Sequence, residues 1–274
     1  MPTSRRLTSA AAAAALTVAG LSACSSSAPA KKAADLDPQS ALTASATAMT
    51  QQGNARFAGT GENGTDGGSG SYGWKAPRTF QMAIPGQKET DILVADGVSY
   101  YGGDKMTRAG GKKWLKYDST TTATMDKTDL SVPSPGDLIA IEEDMDPIAE
   151  LTANAQADTL SKIGTEKINN ADAVHIRSTI KTDAWIAALP DLTTDQRTAL
   201  KGAEKNQKAA TYDFWINNDN QLVQEIQSDP GHPGQAPLRI TYSDYGKTPT
   251  ITPPPAADVM DATELAKHLH SPND

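Results

Sequence analysis

One cysteine stands in the 274 residues, at position 24. That excludes an intrachain disulfide framework and a zinc site built on paired thiolates. Aromatic side chains are sparse at 5%, and 21 glycines and 17 prolines punctuate the chain too often for a helical bundle. A β-rich or α+β domain is the expectation. Positive charge is also short: 25 basic residues face 33 acidic ones. Without Arg5 and Arg6 the basic count falls to 23 and the balance to −10, a poor match for nucleic acid or for flat binding to anionic lipid. No apolar run reaches the roughly 20 residues that a membrane-spanning helix needs. Phosphate-loop and dinucleotide glycine patterns are absent, and so is a Gly-x-Ser-x-Gly elbow.

What is present begins at the N-terminus. Arg5-Arg6 precedes a short apolar stretch, Ala10–Gly20, and then Leu21-Ser22-Ala23-Cys24. This order reads as a secretion signal ending in a lipobox. Residues 1–23 are expected to be cleaved, leaving diacylglyceryl Cys24 as the anchor to the outer, extracytoplasmic face of the cell membrane. The small Ser22 and Ala23 admit a peptidase, and two acyl chains hold stably because each buried methylene adds about 0.8 kcal/mol. The arginine pair has no apolar residues directly after it, so general secretion is expected over the twin-arginine route. Residues 24–36 read as a flexible Ser/Ala/Pro/Lys tether. Residues 37–265 read as one domain and 266–274 as a C-terminal tail.

Asp37-Pro38 caps a helix over 39–52, closed by Gly53. The Gly-rich 59–73 stretch reads as a long loop or irregular hairpin. From Trp74 the period is two: Phe80, Met82 and Ile84, then Ile92 and Val94, Val98–Tyr101 after an Asp96-Gly97 turn, and Trp114–Tyr117. The same alternation returns at Val174–Ile180, Tyr212–Ile216, Leu222–Ile226 and Leu238–Tyr242. In the third of these runs Leu222 and Ile226 are expected on one face and Val223 and Glu225 on the other. Between the two strand groups, Ser134-Pro135-Gly136-Asp137 makes a capping box. Leu138, Ile141, Met145 and Ile148 follow at helical spacing, with a break at Pro147. Thr194–Gln207 is a weaker helix. The fold class is α+β: a strongly curved antiparallel sheet, a half-open barrel, with helices on its concave side.

Four stretches carry a resemblance: Leu160–Ile168 with Ala171–His175; Tyr212–Asn217 with the turn 218–220 and Leu222-Val223; Ile240–Lys247; and Thr250–Pro254. With the lipobox they resemble actinobacterial lipoproteins of the LppX/LprG group, whose fold is similar to that of the carrier LolA. The resemblance is clearest over 145–262; Asn217 and Ala171 depart from the Asp and Gly common there. It implies an apolar cavity between sheet and helices that takes an acylated lipid or glycolipid. Phe80, Met82, Ile84, Leu138, Ile141, Met145 and Ile148 are the candidate lining, and a plain hydrophobic core is the competing reading for each.

Catalytic constellations are weak. His175 falls on the polar face of a strand, His232 in a Pro/Gly loop, and His268 and His270 diverge if helical, so no metal site is expected. Glu142, Glu143, Asp144 and Asp146 lack calcium-loop spacing and read as a solvated helix end. No enzyme activity and no cofactor are expected. His175 beside a buried carboxylate and a hydroxyl would reverse that for a hydrolase. The other alternative is an anchored interaction or regulatory module with a filled core and no ligand.

Overall fold

The computed structural model describes residues 31–61, 67–84, 90–103, 111–118, 133–190, 192–247 and 250–269. The stretch read as a signal, Cys24, His270 and a formal glycosylation sequon at 63–65 lie outside them. The stretch read as tether through Leu36 is packed from Lys31 onward. Ala33–Asp35 forms one helical turn with Ala33 fully buried. Asn220 accepts from Ala33 N at 2.7 Å and donates to Lys31 O at 3.0 Å, while Lys162 donates to the Ala34 and Leu36 carbonyls.

Helix α1 spans Pro38–Gln52. The Asp37 carboxylate caps it by accepting from Ser40 N, and Gly53 ends it at φ 83°, where a Cβ would be strained. A meander follows: β1 Asn54–Thr60, β2 Ser69–Gly73, β3 Thr79–Ile84, β4 Thr90–Ala95, β5 Val98–Gly102 and β6 Trp114–Tyr117. Within the Gly-rich stretch, 59–60 and 69–73 are strand, and β1 and β2 pair as an antiparallel hairpin. Gly70 has a steric reason, since a Cβ there would sit 1.7 Å from Gln81 O on β3. Helices α2 (Pro135–Asp144) and α3 (Pro147–Asn154) come next, the first with its capping box, the second capped by Asp146.

The second meander is β7 Thr159–Ile168, β8 Ala171–Lys181, β9 Ala209–Asn217, β10 Leu222–Ser228 and β11 Leu238–Ser243. Helices α4 (Thr182–Ala188) and α5 (Thr194–Ala203) interrupt it between β8 and β9. β12 Val259–Asp261 and α6 Ala262–Leu269 close the chain, so helix continues into the segment read as tail.

The strands form one sheet in the order β12-β6-β5-β4-β3-β2-β1-β11-β10-β9-β8-β7. β11 joins the meanders by pairing with β1; β12 on β6 is a parallel pair. Two edges remain, so the sheet does not close. It bends strongly. Laid flat, β3 and β8 would be about 29 Å apart, six strand spacings. Yet Asp146 and Asn154, at the two ends of a helix about 12 Å long, bond Arg78 at the root of β3 and Ser178 on β8. The sheet curls around the helices, as an α+β half-barrel requires.

One apolar cluster fills the concave side. It runs from Leu115 and Tyr117 on β6 through Phe57, Tyr72 and Phe80 to Ile176, Phe214 and Ile240. The helices add Leu42, Met49, Leu138 and Leu151, but also much alanine: Ala41, Ala46, Ala140, Ala149 and Ala153. A small second cluster, Leu93, Ala95, Tyr100 and Ile251, covers part of the convex face.

Candidate functional site

The seven lining candidates meet in this concave cluster. Phe80, Met82, Leu138 and Met145 are buried in it, and Ile84, Ile141 and Ile148 are half-buried against it. Phe80 stacks on Phe57 at 5.6 Å and meets Tyr72 edge-on at 5.4 Å. Beside them lies something the sequence reading placed in solvent.

The acidic run is buried: Glu143 is 1% exposed and Asp146 2%. Helix α2 ends and α3 begins there, and Arg78 clamps the junction. Its Nη2 donates to Glu143 Oε1 at 2.9 Å and its Nη1 to Asp146 Oδ2 at 3.0 Å. Asp146 uses its other oxygen to cap α3, accepting from Ile148 N and Ala149 N. One turn on, buried Glu150 accepts from Trp185 Nε1 at 2.9 Å and Asn154 Nδ2 at 3.1 Å, and Asn154 accepts from Ser178 Oγ at 2.6 Å. Glu225 is inside as well. A β-bulge between Leu222 and Gln224 shifts the parity of β10, so Glu225 pairs with inward Phe214 and Ile226 with outward Asp213. The expected faces of Glu225 and Ile226 are thus exchanged. The Tyr242 hydroxyl donates to Glu225 Oε1 at 3.1 Å.

Six carboxyls (Glu142, Glu143, Asp144, Asp146, Glu150 and Glu225) thus share this interior with the Arg78 guanidinium. Burial pushes Glu143 and Glu225 up to about 8, and Glu142 and Asp144 up to about 7. Burial raises Glu150 well above its ordinary value too, with Glu225 and Asp144 adding to the effect. Glu143 Oε2, Glu225 Oε2 and the Tyr72 hydroxyl have no hydrogen-bond partner among the described residues. An anionic oxygen left without a donor in such a place is costly, so geometry and burial both favour the neutral acids. The groups of three or more His, Cys, Asp or Glu that a metal needs are not found among the described residues.

His175 lies on the polar, convex face of its strand and is buried there. Its Nδ1 faces Glu166 Oε1 at 2.7 Å, its Nε2 faces Asp213 Oδ1 at 2.6 Å, and its ring stacks on Trp215 at 4.3 Å. Arg177 donates to both oxygens of Asp213. Both ring nitrogens are engaged by carboxylates, leaving neither to activate a hydroxyl. The arrangement is a cross-strand clamp that ties β7, β8 and β9, not a nucleophile–base pair. His232 is exposed in its loop and bonds only Asp229 nearby.

No family model matches the chain. An uncharacterized 31.2 kDa protein of Streptomyces griseus is 26% identical over 221 residues, 73% of this chain and 70% of that one. LprF from Mycobacterium bovis is 15% identical, with a TM-score of 0.47 over 79% of this chain and 96% of its own. The Mycobacterium tuberculosis lipoprotein LppX is 11% identical, with a TM-score of 0.48 over 78% and 97%. Both likenesses are of fold. Among the described residues, no helix is long and apolar enough to cross a membrane.

Proposed function

We propose that this chain is a lipid-anchored lipoprotein of the extracytoplasmic membrane face that binds or carries an acylated lipid, without catalysis, metal or cofactor. The observation that carries the reading is the single apolar cluster between a strongly curled open sheet and short, alanine-rich helices, into which all seven lining candidates converge. Helices faced with alanine fill less width than helices faced with leucine, and an apolar environment favours a chain of methylenes over water. Burial pushes the Glu143 and Glu225 carboxyls beside it up to about 8, so below that pH these two add little charge to the wall. The lipobox supplies the reason for the location. The anchor keeps the domain at the bilayer.

A specific feature favours the second reading, an anchored interaction module with a filled core. Aromatic pairs occupy the concave face, Tyr212 on Phe214 at 5.7 Å as well as Phe57 on Phe80. Titration of a fluorescent fatty acid into the purified Cys24→Ala chain separates the two. Saturable binding that weakens on Met82→Trp and Met145→Trp, which fill apolar space, supports the carrier. A chain that folds but gives no saturable signal supports the filled module. Radiolabelled palmitate should enter the wild-type chain and not Cys24→Ala; equal labelling would contradict the anchor.

A further inference from the structure

Where β8 ends and β9 begins, α4 and α5 leave a pocket of about 420 Å³ between them. Lys181, Lys201, Lys205 and Lys208 all line it, against only Asp183 and Glu204 of opposite sign. In a chain of net charge −8 that is a local reversal. Lys201 approaches Asp183 only at 3.9 Å, and both are largely exposed. The pocket does not end at its lysines. Thr182, Glu204 and Gln207 also line a narrow cleft that runs inward to Trp185 and Tyr212. The Thr182 Oγ1 on that shared wall is buried and has no hydrogen-bond partner among the described residues.

We infer that this pocket binds a phosphate-bearing anion. Four lysines against two carboxylates give the pocket a net positive lining, and the Thr182 hydroxyl beneath that wall has no partner among the described residues. The lining holds no arginine, and lysine ammonium groups bind phosphate as point charges rather than through a bidentate fork. The volume fits a small ligand, a phosphorylated polyol or a lipid headgroup, and exceeds what one inorganic ion fills. Position separates it from the anchor. Lys208 and Lys181 stand at one end of β9 and β8, and the turn at Asn220 that holds Lys31 stands at the other, about 30 Å away across nine residues of strand. The site is distinct from the apolar lining and does not depend on an acyl chain being bound there.

The test uses the Cys24→Ala chain at 0.15 M salt. Isothermal titration is run with inorganic phosphate and glycerol 3-phosphate, and flotation with phosphatidylglycerol against phosphatidylcholine vesicles. Saturable binding of either phosphate class is expected. Lys181→Gln/Lys205→Gln/Lys208→Gln should weaken it by roughly tenfold, as the loss of three partly screened charges requires. The three Lys→Arg changes should keep it within about threefold, and Lys112→Gln/Lys167→Gln, remote from the pocket, should leave it unchanged. Binding of glycerol 3-phosphate but not vesicles identifies a free ester; preference for phosphatidylglycerol vesicles identifies a headgroup. Equal weakening by the remote lysine pair, or no saturable binding of any probe, overturns the proposal. The fatty-acid titration on the same variants keeps the two proposals apart, because the lysine triple should not alter it.

Discussion

Single side chains in this protein take roles that their neighbours in sequence do not announce. Arg78 lies 65 residues from Glu143 and 68 from Asp146, yet it locks the α2–α3 junction to the sheet. Arg78→Met should cost about 3 kcal/mol in chemical denaturation, the lower end of what breaking a buried ion pair costs, because the freed acids can take up protons. A loss under about 1 kcal/mol would remove the clamp from the account. The raised acids set a pH dependence. Their folded values, about 7 to 8, lie above the unfolded value near 4.5. The folded state therefore holds more protons in that window, and stability falls as pH rises. The melting temperature should be higher at pH 5 than at pH 8. Glu166 and Asp229, held low by hydrogen bonds to His175 and His232, work the opposite way only in more acidic solution. Glu225→Gln, which keeps an acceptor for Tyr242, should flatten the slope and raise stability at pH 8; an unchanged slope would show that Glu225 is ionised there.

At the scale of elements, local rules were legible and parity was not. The caps at Asp37 and Ser134 and the Pro147 break are short-range chemistry, and each forms where the sequence puts it. Helix α4 escaped notice because seven residues hold too few turns for a period, although Trp185 and Ile186 are core residues. The bulge in β10 has no local signature, since Val223 is an ordinary strand residue; one extra residue turned Glu225 inward and Ile226 outward. The acidic run was misread for a related reason. Its helix shows a fair apolar stripe, and what admits Glu143 and Asp146 to the interior is a guanidinium from a different element. Gly70 is the corresponding strand-level test. Gly70→Ala places a methyl against the β3 backbone and should cost about 2 kcal/mol or more by overpacking. A loss within about 0.5 kcal/mol would mean that the β2–β3 approach is looser than the geometry indicates.

For the whole molecule, the two meanders joined at β1–β11 make an open half-barrel whose inner face belongs to one apolar cluster. The fold class and the inward position of Phe80, Met82 and Leu138 could be read from periodicity, because burial on one face leaves a period-two trace in strands and a three-to-four spacing in helices. The polar interior could not, since its members come from α2, α3, α4, β8, β10 and β11 and meet only after folding. The central claim is that this interior holds an acylated lipid. The most direct test is mass spectrometry of an organic extract from the Cys24→Ala chain, expressed in an actinobacterial host and purified without detergent. The account predicts an acyl-bearing species in near-stoichiometric amount, absent from a Met82→Trp/Met145→Trp variant that remains folded. A well-folded wild-type interior that yields no lipid in the extract would contradict it.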